Sequence, residues 1–295
     1  MRNIIYSPDY EVDIGMHVFP TSKYRHIRDK LLEIEQITDE CFIDPRAATI
    51  EELLRVHTAK YVNDIINGTI SKADEIRLEL PYSKELARAS VLCSGGTLMA
   101  CEGALKNFVG VHLGGGFHHA YPDHGEGFCV FNDIAVAAKD LISKGKKVLV
   151  VDCDLHQGNG TAFIFKDEPD VFTFSMHQKN NYPLYKEKSD MDIDLEDLIR
   201  GNIYNELLLE KLNIIADNFN PDFIIYVAGA DTYVDDQLGG LSLTINDLLE
   251  RDRIVKSVSD AVSIPVAIVL AGGYAKQIQD TVAIHLNTIA TFLKI

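Results

Sequence analysis

Short apolar runs recur along the chain, separated by longer stretches whose apolar positions repeat with a helical period. The runs Ile4–Tyr6, Val109–Leu113, Val148–Val151, Val171–Met176, Phe223–Ala228 and Val266–Leu270 read as strands. Between them Lys84–Leu105, Asn132–Lys144, Ile203–Asn218, Asn246–Val262 and Lys276–Leu293 read as helices. This βαβα rhythm predicts an α/β fold with a central, mostly parallel sheet of about eight strands and helices on both faces. No linker, repeat or low-complexity tract interrupts it, so residues 1–295 are expected to form a single domain.

The residues just after each run are more telling than the run. Val109–Leu113 leads into a glycine stretch and His118-His119, Val148–Val151 into Asp152, Asp154 and His156, Val171–Met176 into His177, Phe223–Ala228 into Asp231, and Val266–Leu270 into Gly272-Gly273-Tyr274. Ligands of open parallel sheets bind beyond the carboxyl ends of the strands, so five segments deliver polar or glycine-rich groups to one rim. The segment VLVVDCDLHQGNG, Val148 to Gly160, concentrates the signal. Two carboxylates and an imidazole at the end of a buried strand are costly unless compensated. A divalent cation is the economical compensation, and carboxylate with imidazole suits zinc or ferrous iron.

Composition narrows the partners. With 46% hydrophobic residues in 295 the chain can bury a large core. Its 28 basic against 44 acidic side chains give a net charge of −16, with no basic stripe to track phosphates, so a nucleic-acid partner is not expected. The five cysteines, Cys41, Cys93, Cys101, Cys129 and Cys153, form no CxxC pair, which fits a reducing compartment. The N-terminal MRNIIYSPDYEVD lacks a secretory apolar core and no stretch approaches membrane-spanning length, so a soluble cytoplasmic protein without a membrane partner is expected. Nothing in the chain specifies an oligomeric state.

Five stretches in order, GGGFHHAYPDHGEGFCVFND (114–133), VVDCDLHQGNG (150–160), FSMH (174–177), AGAD (228–231) and LAGGY (270–274), resemble the histone deacetylase and acetylpolyamine amidohydrolase family, whose fold is shared with arginase. The N-terminal YSPDY and HVFP segments look like its small class IV-like bacterial members. By this resemblance Asp154, His156 and Asp231 are the metal ligands, and zinc or iron is the cofactor. His119 is the general base and then acid, and His118 is chiefly electrostatic. Asp152 would orient His118, and Asn159 takes the partner position of His119, where some relatives have Asp. Tyr274 matches the tyrosine that donates to the developing oxyanion. Phe128 matches one wall of a lipophilic substrate tunnel. Tyr182 and Leu238 would line its other sides, with Gly127 and Gly272 counted among its residues. A structural potassium ion is implied on the carbonyls of Asp152, Asp154, His156 and Met176 and the hydroxyl of Ser175.

The activity so implied is metal-dependent hydrolysis of an acylated amine, foremost acyl-lysine in a peptide or protein, with acetylated polyamines or other small acyl-amines as the alternative. An arginase-like two-metal site is disfavoured because Asp231 is followed by Thr232-Tyr233 and not by a second Asp at two-residue spacing. A non-catalytic acyl-lysine binder would be expected to lose a ligand, the histidine pair or the tyrosine, and all are present. The rim loop that grips the substrate backbone in several relatives is short around Glu75–Pro81, where only Glu75 and Glu79 could stand in. Cys129 and Cys153 adjoin site residues and read as packing, not as nucleophiles.

Overall fold

The computed structural model describes residues 3–295. Residues 1 and 2, which open the predicted domain and the N-terminal segment, lie outside the described residues. Among the described residues one sheet holds eight strands: β1 (Ile4–Ile5), β2 (Phe42–Ile43), β3 (Val109–His112), β4 (Val148–Asp152), β5 (Val171–Gln178), β6 (Met191–Leu195), β7 (Phe223–Val227) and β8 (Val266–Val269). Their order is β2-β1-β3-β8-β7-β4-β5-β6 and every pairing is parallel. β4, β7 and β8 are buried along their whole length, which explains why they read as unbroken apolar runs.

Ten α-helices accompany the sheet among the described residues. They are α1 (Lys23–Leu31), α2 (Ile50–Leu53), α3 (Ala59–Asn67), α4 (Lys72–Leu78), α5 (Lys84–Asn107), α6 (Asp133–Ser143), α7 (Asn159–Phe165), α8 (Gly201–Phe219), α9 (Ile245–Val262) and α10 (Ile278–Leu293). They form two packed groups: α5 and α6 with α2, α3 and α7, and α8, α9 and α10 with α1. Side-chain caps set several starts, Ser83 for α5, Asn132 for α6 and a Thr244–Asp247 capping box for α9. No helix among the described residues is long and apolar enough to cross a membrane.

The six predicted strands and five predicted helices are found, with ends shifted by up to two residues. The sequence pattern missed the two outermost strands. β2 is two residues long, and β6 (MDIDL) is half-exposed and acidic on alternate positions, as an edge strand can be. It also missed α7, which begins on a glycine-asparagine turn signal, and the short helices α1 to α4 ahead of α5, of which α1 is mostly charged and α2 is four residues long.

Register aligns the strand ends. His112 of β3 pairs with Val269 of β8, Val269 with Val227 of β7, Val227 with Asp152 of β4, and Asp152 with Ser175 of β5. Because all strands are parallel, the segments that carry His118-His119, Tyr274, Asp231 and Asp154-His156 all leave the sheet on the same edge.

Candidate active site

Asp154 and His156 follow β4, and Asp231 follows β7, its neighbour in the sheet. One ligand atom from each lies within 4.8 Å of the other two, and all three residues are buried. His156 Nδ1 is 3.2 Å from Asp154 Oδ1 and 3.2 Å from Asp231 Oδ2. Backbone amides take the outer carboxylate oxygens: Gly272 N donates to Asp154 Oδ2 at 2.9 Å, and Leu155 N to Asp231 Oδ1 at 3.0 Å. Asp231 Oδ2 is buried with no well-formed hydrogen bond. Burial works against a charged His156, but Asp154 and Asp231 outweigh it and raise its pKa to about 10, so this point attracts positive charge. A Cβ at Gly272 would strike Asp231 Oδ2 and come within 2.6 Å of Asp154 Oδ2, so only glycine leaves this space open. Two carboxylates and one imidazole so disposed fit a divalent cation such as zinc or iron, with positions to spare for substrate. A lone turn or cap role for Asp231 does not account for a buried oxygen that faces His156 without a well-formed hydrogen bond.

The histidine pair sits beside these ligands. His118 Nδ1 lies 2.7 Å from Asp152 Oδ2, His119 Nδ1 lies 2.7 Å from Asn159 Oδ1, and the two Nε2 atoms are 3.1 Å apart. Burial lowers both imidazoles. For His118 the carboxylates of Asp152 and Asp154 overcome it and lift the pKa to about 9, whereas His119, beside His118 and His156, stays well below the ordinary value. Two histidines of opposite tendency in contact suit one charged and one proton-accepting role.

The loop that carries them is clamped by the first residues of α6. Asp133 accepts from Gly116 N at 3.1 Å and Phe117 N at 2.8 Å, while Asn132 Nδ2 donates to the carbonyls of His118 and Ala120. Both residues stand in the FND end of the first matching stretch, yet nothing in their spacing shows that they reach back to this loop.

Tyr274 is held by main-chain contacts. Its N donates to Asp236 Oδ2 at 2.7 Å and its carbonyl accepts from Gln237 Nε2 at 2.8 Å. Burial, with Asp231 and Asp154 nearby, pushes its phenol well above the ordinary value, so it remains a donor. Behind it Lys23 of α1 is fully buried, donates to the carbonyl of Ala271 at 2.6 Å and lies 5.8 Å from the centre of the Tyr274 ring. Ala271 has φ of +52°, a left-handed conformation that the Lys23 contact helps to hold. Burial lowers the Lys23 pKa to about 8 against the pull of Asp231 and Asp154. Neither Lys23 nor Asp236 carries a motif signal.

A cavity of about 170 Å³ reaches this centre, lined by Glu79, His119, Gly127, Phe128, His156, Asn181, Tyr182, Leu238 and Tyr274. Phe128, Tyr182, Leu238 and Gly127 therefore meet as the tunnel reading expects. Gly272 lines an adjoining space, together with Tyr274, Asp154 and His118. Gly127 has φ of +52°, and a Cβ there would come within 2.8 Å of His119 Cδ2 and 2.9 Å of Tyr182 Cε1. Of the two acidic rim residues only Glu79 lines the cavity. Glu75 is engaged on α4 by Lys72 at 2.8 Å and by Tyr82 N at 3.2 Å.

Of the residues expected around a structural potassium ion, Asp152 and Ser175 are register partners on β4 and β5, and Met176 follows Ser175. The Ser175 hydroxyl lies 2.9 Å from His177 Nδ1. Burial raises the Cys153 thiol to about 12 and lifts Cys129 as well, so both stay protonated among packing neighbours.

An eight-stranded parallel sheet with a buried Asp₂His cluster, a histidine pair and a tyrosine at its carboxyl edge defines a hydrolase of the arginase–deacetylase fold. A family model described as the histone deacetylase domain matches residues 17–289. The chain is 39% identical over 285 residues to an uncharacterized protein of Picosynechococcus sp., covering 96% of this chain and 95% of that one. It is 28% identical over 304 residues to histone deacetylase 2 of Arabidopsis thaliana, covering 98% and 78%. A crystal structure of a histone deacetylase homologue from Aquifex aeolicus superposes with a TM-score of 0.84 at 25% identity, over 98% of this chain and 83% of that one. The chain belongs to the histone deacetylase family.

Proposed function

We propose that this chain is a metal-dependent amidohydrolase that removes an acyl group, acetyl or longer, from the side-chain amine of acyl-lysine in peptides or proteins. One observation carries the reading: the Asp154–His156–Asp231 cluster, the His118–His119 pair and Tyr274 converge at the end of a cavity walled by Phe128, Tyr182 and Leu238. Zinc or ferrous iron held by the three ligands would polarise the amide carbonyl and lower the pKa of water beside it.

The chain's own residues supply the rest. His119 takes a proton from the attacking water and returns it to the leaving amine. His118, kept charged by Asp152, favours the negative charge that builds up next to it. The Tyr274 phenol donates to the carbonyl oxygen as that charge forms, which is worth most where solvent is excluded. Phe128, Tyr182 and Leu238 shield an apolar arm and deliver its amide to this point. A structural potassium ion beside Asp152 and Ser175 would brace the end of β4.

Glu79 at the cavity wall favours a second reading, hydrolysis of small acylated amines that carry a cationic nitrogen beyond the amide, as acetylated polyamines do. Turnover by metal-reconstituted protein of acetyl-, octanoyl- and myristoyl-lysine peptides, beside acetylated polyamines, tests both. Hydrolysis that falls ~10² or more in Tyr274→Phe is expected. Stoichiometric metal with no turnover of any of these would overturn the assignment.

A further inference from the structure

Asn159 is the partner of His119, and its two ends differ chemically: Oδ1 only accepts and Nδ2 only donates. A carboxylate in that place would meet His119 Nδ1 the same way whichever oxygen faced it. An amide has to be held the right way round. Around Asn159 the holding groups are present. Nδ2 donates to Glu126 Oε1 at 2.8 Å and to Tyr121 Oη at 3.3 Å, and Tyr121 Oη itself donates to Glu187 Oε1 at 3.2 Å. Glu126 Oε1 also accepts from Tyr182 Oη at 2.8 Å, and Glu126 Oε2 lies 3.5 Å from His124 Nε2. Burial disfavours charge on Glu126, but these donors outweigh it and hold its carboxyl below the ordinary range, so it is an acceptor only. Backbone bonds to Cys129 in both directions fix its main chain.

With both Nδ2 hydrogens engaged, Asn159 Oδ1 faces His119 Nδ1 at 2.7 Å, so that nitrogen must carry the hydrogen. A reversed amide would set its oxygen against the Glu126 carboxylate and its N–H against His119 Nδ1. The histidine would then be forced into the other tautomer, with its hydrogen on Nε2, where it cannot accept a proton. We propose that Glu126 is a positioning residue for His119: through Asn159 it fixes the Nδ1–H tautomer and keeps Nε2, which lies 3.1 Å from His118 Nε2, without a hydrogen and so able to take the proton of the attacking water. The second half of this assignment rests on the function proposed above, and the first half does not. Through Tyr182 the same carboxylate ties the cavity wall to the base.

The first readout is the ring tautomer of His119 in zinc-loaded, ¹⁵N-histidine-labelled protein, taken from the shifts of its two ring nitrogens and assigned by difference against His119→Phe. Wild type is expected to show Nδ1–H. Glu126→Leu should show a substantial Nε2–H population, and Glu126→Gln, which keeps an acceptor oxygen, should restore Nδ1–H. The second readout is steady-state hydrolysis of an acetyl-lysine peptide. Glu126→Leu should lower kcat ~10- to 100-fold, less than the ~10²–10⁴ for a base lost outright because only part of the population is mis-set, and Glu126→Gln should recover most of it. In an Asn159→Asp background the two oxygens need no orienting and the Glu126 carboxylate would only repel the new one, so adding Glu126→Leu should not lower kcat there.

Nε2–H in wild type overturns the proposal without any variant. So does an unchanged tautomer in Glu126→Leu, or an equal kcat loss in the Asn159→Asp background, which would place the effect on Tyr182 or on folding. Should the Leu variant fail to fold, loss of Nδ1–H in Glu126→Gln overturns it equally. A wild type that shows Nδ1–H, loses it in Glu126→Leu and hydrolyses no acyl-amine upholds the orienting role and sinks the proposed function.

Discussion

Residues 3–83 and residues 84–295 meet at one site but are built differently. The second region is regular: long helices alternate with buried strands, and each strand from β3 to β8 except the edge strand β6 runs into a group at the site rim. The first has two-residue strands, short helices and long connections, yet it supplies Phe19 and Lys23 against Tyr274 and Glu79 at the cavity wall. The seam between them is largely apolar, with Phe19 on Phe128 and Tyr61 on Phe131, but polar contacts also cross it. Tyr10 Oη lies 2.7 Å from His112 Nε2, and His57 joins Tyr121 O and Asn132 N, at 3.0 Å each. The difference teaches that the chemistry is carried by strand ends, whose positions the sheet dictates. The cover that shapes access and supports the tyrosine is carried by irregular chain, whose positions only packing dictates.

This division can be broken by substitution. The largest effect is expected at the strand ends. Asp231→Asn should leave little bound zinc by elemental analysis and lower turnover by ~10³ or more, and normal metal content with activity would remove Asp231 from the centre. Tyr274→Phe comes next, with kcat down ~10²–10³ and metal content unchanged. A fall in metal content instead would mean that its role is structural.

Lys23→Met probes the cover. Methionine removes a buried charge and also leaves the Ala271 carbonyl unpaired, so the two effects on stability oppose each other. The melting temperature should move little while kcat falls ~10-fold through a looser 271–274 segment. A large drop in melting temperature with unchanged kcat would return Lys23 to the fold alone. Glu79→Gln should raise KM for a cationic acylated polyamine ~5-fold, about the scale of one exposed charge interaction, with little change for a neutral acyl-lysine peptide. Equal effects on both would deny Glu79 a part in selectivity.

The smallest effect on turnover is expected from acid, which acts on the stability of the fold through two buried histidines of the seam. Burial lowers His57 to about 4 and His112 to about 3, against 6.5 unfolded. Below pH 6.5 the unfolded chain therefore binds protons that the folded one refuses, so stability present above pH 6.5 is lost as pH falls toward 4. Each histidine contributes up to ~1.4 kcal/mol per pH unit in that window, or ~2–4 °C in melting temperature. Melting curves between pH 7 and 5 check the sign, and His57→Gln should flatten the slope.

Much of the strand-end chemistry is legible in the sequence, because a parallel sheet places the residues just past each strand on one edge. Asp154, His156, Asp231, His118, His119 and Tyr274 stand in such positions, and the structure brings them together. Phe128, Tyr182 and Leu238, expected from the sequence as tunnel walls, line the cavity. The contacts that are not legible are lateral. Glu126 reaches Asn159 of α7, Asp133 reaches back to Gly116 and Phe117, and Lys23 reaches Ala271 across most of the chain. α7 itself is hidden because Gly158-Asn159-Gly160 signals a turn, and the turn becomes the start of a helix.

The sequence by itself determined the class of fold, the edge on which the chemistry sits and the residue types that compose it, because strand periodicity and strand-to-helix alternation are local and repeat along the chain. Only the tertiary structure decided which carboxylate orients Asn159, which lysine holds the tyrosine segment and which of Glu75 and Glu79 faces the cavity. Those are contacts between segments distant in sequence, set by how the irregular cover packs, and no local pattern encodes them.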